Sequence, residues 1–163
     1  MNMFDELDRI NTVLRNDDIL WKLLYYKAES IDDDVLSRPS ILNLPDDEKL
    51  PIMKLRLKHT PVTNDLADIQ ICRIIFYQSP RRPHESSYKV ARQDVNFDIF
   101  VHQEFNDADM RLAKICDRIN ELMSHQYVSG LGRVEFASGK PFVMANEGYM
   151  GYTLVYRFGS VNA

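Results

Sequence analysis

The chain has 163 residues, enough for one domain with a real buried core that needs no metal or disulfide staple. It is 45% hydrophobic and 27% charged, an ordinary globular balance, and its net charge of −4 argues against a freestanding nucleic-acid-binding domain. Two cysteines, Cys72 and Cys116, lie among apolar residues and read as buried reduced thiols, which points to a reducing compartment.

The chain opens MNMFDELDRI, with acids where a signal peptide needs a basic start and an apolar run. No apolar stretch approaches the roughly 20 residues of a membrane span, so the expectation is a soluble protein made in a cytoplasm. Phe4, Leu7, Ile10 and Leu14 recur at helical spacing and predict a first helix. Asp17 or Asp18 is placed to cap a second, from about Ile19 to Ala28, with Leu20, Leu23 and Leu24 available for burial.

From Ser30 to Asp65 the pattern is broken by Pro39, Pro45, Pro51 and Pro61, yet it carries many aliphatic residues. The expectation is an extended arm whose apolar side chains are buried against something. Lys54-Leu55-Arg56-Leu57-Lys58 alternates and predicts a short strand with a basic outer face.

Ile69 to Tyr77 predicts a strand with Ile69, Ile71, Ile75 and Tyr77 on one face. Ser79 to Arg92 reads as a polar loop stiffened by Pro80 and Pro83, which would hold its arginines outward. In Asp94 to Gln103, Val95, Phe97, Ile99 and Val101 face one way, and Asn96, Asp98, Phe100 and His102 the other. A helix is expected from Asn106 or Asp107 to Ser124, with the stripe Leu112, Ile115, Cys116, Ile119, Leu122 and Met123 lying on the sheet. Gly130 and Gly132 mark a turn, Arg133 to Ala137 a short strand, and Gly148 to Phe158 an aromatic last strand.

This order predicts an α+β fold: a small, mostly antiparallel sheet covered by a helix, with N-terminal helices and a long extended arm. The expected division is 1–29 helices, 30–65 arm and 66–163 α+β core, within one structural domain.

Charge is unevenly spread. Residues 1–50 hold 12 acids and 6 bases, residues 51–93 hold 3 acids and 8 bases, and residues 94–163 hold 9 acids and 6 bases. The middle is a basic island between acidic flanks. It can fold back on its own chain or lie on a neighbour's acidic face.

No phosphate-cradling glycine loop, GxSxG elbow, HExxH or CxxC pair occurs, and no catalytic residue, cofactor or metal is expected. Asp98, His102 and Glu104 share a strand face, but a metal site needs three or four converging ligands, and a polar outer face accounts for them. Asp107 and Asp109 read as carboxylates set against a helix dipole. The partner-interface candidates are Arg81, Arg82, Lys89 and Arg92 in the loop, with Lys54, Arg56 and Lys58 in the arm.

Four stretches carry a resemblance: Val95-Asn96-Phe97-Asp98-Ile99-Phe100-Val101-His102, then Arg118-Ile119-Asn120-Glu121-Leu122, then Gly130-Leu131-Gly132-Arg133-Val134-Glu135-Phe136, then Gly148-Tyr149-Met150-Gly151-Tyr152-Thr153-Leu154-Val155-Tyr156. This order resembles the tail terminator and tail-completion (head–tail joining) proteins of long-tailed bacteriophages, over about residues 66–158, and Asp18-Ile19-Leu20-Trp21-Lys22-Leu23-Leu24-Tyr25-Tyr26 looks like the N-terminal stretch of phage neck proteins. The resemblance implies a non-enzymatic virion protein of the neck or tail, assembled in the host cytoplasm. It implies a homohexameric ring whose partners are the portal-side connector and the tail tube, with DNA passing without sequence readout. The competing reading is a small intracellular binding or adaptor module that uses the basic loop for nucleic acid or protein.

Overall fold

In the computed structural model, which describes residues 3–144 and 147–161, the chain begins with α1 (Met3–Arg15) and α2 (Asp18–Tyr25). Asp17 caps α2 by accepting from the Leu20 N–H at 2.9 Å. Asp18 instead pairs with Lys22 one turn on and accepts from the Ser40 hydroxyl, which holds its carboxyl below the usual range. Ile10, Leu14, Leu20, Trp21 and Leu24 are fully buried, whereas Phe4 is 72% exposed and falls outside the expected stripe.

Residues 30–65, expected as an extended arm, are short helical pieces. There are 3-10 turns at Val35–Ser37 and Ile41–Asn43, and then α3 (Asp46–Arg56). Local capping is the cause: Asp34 accepts from the Leu36 N–H and Ser40 from the Leu42 N–H. Asp46, Asp47 and Glu48 fill the first turn of α3, where its dipole favours negative charge. Val35, Ile41 and Met53 are buried in the main cluster, so this segment belongs to the core. The alternating stretch 54–58 is mostly the end of α3, and only β1 (Leu57–Lys58) is strand.

The sheet has the order β1-β2-β3-β5-β4, with β2 (Cys72–His84), β3 (Ser87–His102), β4 (Leu131–Met144) and β5 (Tyr149–Val161). Only β1 and β2 are parallel; the other neighbours are antiparallel. The expected polar loop from Ser79 to Arg92 is a β-hairpin. Arg81 stands opposite Gln93 and Arg82 opposite Arg92, and the turn lies between His84 and Ser87. Past Gln78 its side chains are largely solvated, so the backbone ladder holds the strand without an apolar pattern to announce it.

Alternation along β3 holds. Val95, Phe97, Ile99 and Val101 enter the main cluster, with Phe97 between Phe76 (5.9 Å) and Tyr156 (5.5 Å). On the opposite face, Ile71, Ile75, Phe100 and Tyr149 form a second cluster beneath Leu66 of the 3-10 turn Asn64–Asp68.

The expected single helix is two, α4 (Gln103–Asp109) and α5 (Arg111–Met123), broken at Met110, whose φ is +55°. Asp107 and Asp109 therefore lie at the end of α4, not at its start. Asp109 and Arg111 are both fully buried and paired, and Arg111 also donates to the carbonyls of Leu23 (2.6 Å) and Tyr26, closing the C-terminus of α2. Leu112, Ile115, Ile119 and Met123 turn α5 onto β3 and β5. Strand β4 is longer than expected because it stays paired with β5 as far as Met144, and the turn before it is held by Gly130 (φ +76°), where a Cβ would meet the Gly159 carbonyl oxygen at 1.8 Å.

Candidate functional site

The basic candidates separate into two groups at opposite ends of β2. Lys54, Arg56 and Lys58 lie at the α3–β1 junction, where Leu57 pairs with Ile74. Arg81 is seven residues further along β2, about 23 Å away at 3.3 Å per residue.

At the junction, Lys54 is exposed. Arg56 is not a free cation: its guanidinium stacks 5.0 Å from the Tyr25 ring and donates to the Ile52 carbonyl at 3.1 Å. Burial lowers its pKa. Lys58 is half-buried in β1. The strongest ion pair nearby was not expected: Arg73, fully buried, donates to both oxygens of Asp65 at 2.8 and 2.6 Å and to the Leu55 carbonyl at 2.8 Å. The Arg73 hydrogen bonds hold the Asp65 carboxyl below its usual range.

At the hairpin the four cations differ. Arg81 points back onto the domain, donating to the Ser160 hydroxyl at 2.9 Å and Gln93 Oε1 at 3.4 Å. The expectation that Pro80 and Pro83 hold both arginines outward fails for Arg81, because its strand position faces β5 and not solvent. Arg82 is exposed. Lys89 is exposed and lies 5.9 Å from the Tyr88 ring, itself 80% exposed. Arg92 is half-buried beside His84 at 3.4 Å. The outward surface of the tip is therefore Arg82, Tyr88 and Lys89.

Two further surfaces escaped the sequence reading. One is a groove of about 490 Å³ between α2, the turn at 31–36 and α5, where Ile19, Ile31 and Leu36 are exposed beside Asp32, Asp117 and Glu121. Its residues come from three separate stretches of chain, and no local pattern joins them. The other is the outer edge of β4, which among the described residues pairs with β5 alone and exposes Phe136 and Val143.

The polar face of β3 is a bonded ladder. Asp98 accepts from the Tyr77 hydroxyl at 2.8 Å and the Thr153 hydroxyl at 2.7 Å, and Arg157 is held by both oxygens of Asp94. His102, expected on that open face, is only 6% exposed and caps α4 by accepting from the Glu104 N–H. Among the described residues no three His, Cys, Asp or Glu side chains converge as a metal-binding group. No helix among them is long and apolar enough to cross a membrane.

The model of the YomW family matches residues 17–158, from the cap of α2 to Phe158 within β5. The chain belongs to the YomW family. The SPbeta prophage-derived protein YomW of Bacillus subtilis (strain 168) is 26% identical over 164 residues, covering 96% of this chain and 96% of its own. That relative comes from a prophage, and the alignment spans both the hairpin and the groove.

Proposed function

We propose that this YomW-family protein is a structural subunit of a phage particle. It forms a ring at the head–tail junction that caps the tail tube or joins it to the connector, and it carries out no chemistry of its own. The observation that supports the reading most is the near full-length similarity to a prophage-derived protein, joined to an α+β fold of the kind the tail-terminator resemblance implies. The surfaces fit a subunit of an assembly, with a protruding basic hairpin, an apolar groove rimmed by acids and a long strand edge. The test is to induce the phage or prophage that carries the gene, purify particles and look for the chain by mass spectrometry and antibody labelling. Labelling at the neck is the expected result; particles complete without the chain would refute it.

A second reading is favoured by one observation, the exposed Arg82, Tyr88 and Lys89 at the hairpin tip. Cations beside an aromatic ring suit single-stranded nucleic acid, which would make the protein an adaptor. Salt-dependent binding of an oligonucleotide by the purified chain would support it.

A further inference from the structure

The hairpin tip and the groove are complementary surfaces on one chain. The tip lies at the end of the sheet, past the Val90–Val161 pair that ends the β3–β5 ladder. The groove lies on the helical layer, between α2 and α5. Its floor is apolar, with Ile19 37%, Ile31 59% and Leu36 41% exposed side by side. Its rim is acidic. Asp33 is taken by Arg38 and Glu121 by Arg118, but Asp32 and Asp117 have no ion-pair partner among the described residues. The tip offers the converse: an 80% exposed Tyr88, with Lys89 next to it and Arg82 free of any ion pair among the described residues.

We infer that the β2–β3 hairpin tip of one copy docks in the α2–α5 groove of a second copy, with Tyr88 on the aliphatic floor and Arg82 and Lys89 facing Asp32 and Asp117. Tyrosine suits this role because it buries a large area for few rotatable bonds. Phosphates on the tip would leave the three aliphatics of the groove uncovered, whereas a second copy covers tip and groove together. Because the two surfaces differ, the contact is head-to-tail, and repeated it closes into a ring or runs on as a filament. The inference rests on the ring-subunit reading and supplies its contact.

Sedimentation of the purified full chain tests it without any phage component. Arg82→Glu with Lys89→Glu should weaken self-association about tenfold, and Asp32→Lys with Asp117→Lys should do the same. All four changes in one chain should restore association to within about threefold of the starting protein, since opposite charges again face each other. All four substituted positions are exposed, and unchanged thermal unfolding of each variant confirms its fold. The inference is overturned by a wild-type chain that stays monomeric at about 100 μM. Reversals that leave association intact, or a fourfold variant no better than either pair, also overturn it. Oligonucleotide binding abolished by the tip reversal with no change in mass would overturn it in favour of the adaptor. An oligomer that obeys the charge swap but is missing from particles would refute the neck reading and leave the docking contact standing.

Discussion

Arg118 of α5 donates to both oxygens of Asp17, at 2.8 and 2.5 Å, across 101 positions of sequence, and the same carboxylate caps α2. One side chain thus ties the start of one helix to the middle of another. Asp17→Ala loses both roles and should cost about 2–3 kcal/mol in urea unfolding. Asp17→Asn keeps a capping oxygen and should cost about half as much, since the ion pair is partly solvated and screened. Equal losses would mean the cap contributes nothing.

Glu6 is fully buried on α1, close to Ser160 and Arg81. Burial pushes its pKa up, and the nearby Ser160 and Arg81 only partly offset this. A carboxyl with a raised folded-state pKa takes up a proton on folding. Its stabilising contribution is complete below the unfolded pKa and is lost as pH rises through the folded one. Glu6→Gln should therefore stabilise the protein by roughly 1 kcal/mol near pH 7 and make little difference in acid. Paired melting curves across pH read this, and a gain that grows toward low pH would contradict it.

Phe97 and Ile119 are both at 0% exposure in the main cluster. Replacing either with alanine should cost about 2–5 kcal/mol. Asp98→Asn should cost far less, because an amide still accepts one of the two hydroxyls. His102→Ala should fall between them, at about 1 kcal/mol, for the loss of the α4 cap and the contact with Tyr149.

Removing residues 38–60 should unfold the domain. The deletion takes out Ile41 and Met53 from the core, and the Leu55 carbonyl that receives buried Arg73. Loss of the cooperative urea transition is the expected result; a folded, assembly-deficient product would return this segment to the status of an arm.

Cys72 and Cys116 should resist alkylation in the native state. Burial pushes both thiols up to about 12, leaving little thiolate at neutral pH. Rapid labelling of both in urea and slow labelling without it, followed by intact mass, checks this.

The strands with one buried face were legible because their side chains alternate, as Val95 to Val101 do. The stripe of α5 was legible for the same reason at period 3.6. What escaped were elements fixed by the backbone alone or by partners distant in sequence. The tip hairpin is polar on both sides, so nothing in residues 79–92 distinguishes strand from loop. Residues 35–56 are helical because of Asp34, Ser40 and the acids after Pro45, signals that four prolines obscured. Among the candidate cations, sequence could not tell that Arg81 turns inward to Ser160 while Arg82 turns out. That difference is one residue of strand parity, and the strand itself had not been seen.

Glu6 lies 3.5 Å from where a Cβ on Gly130 would stand, so the first helix is seated against the far end of the chain. The strand that completes that seat, β5, is also the one inserted between β3 and β4. During synthesis, then, residues 1–130 emerge from the ribosome with β3 as an open edge, because both β4 and β5 are still to come. Until then α1 has β2 to rest on, but not the β5 end of its seat. The whole lining of the groove, Ile19 to Glu121, precedes β4 and β5, so the growing chain carries its groove before its sheet is complete.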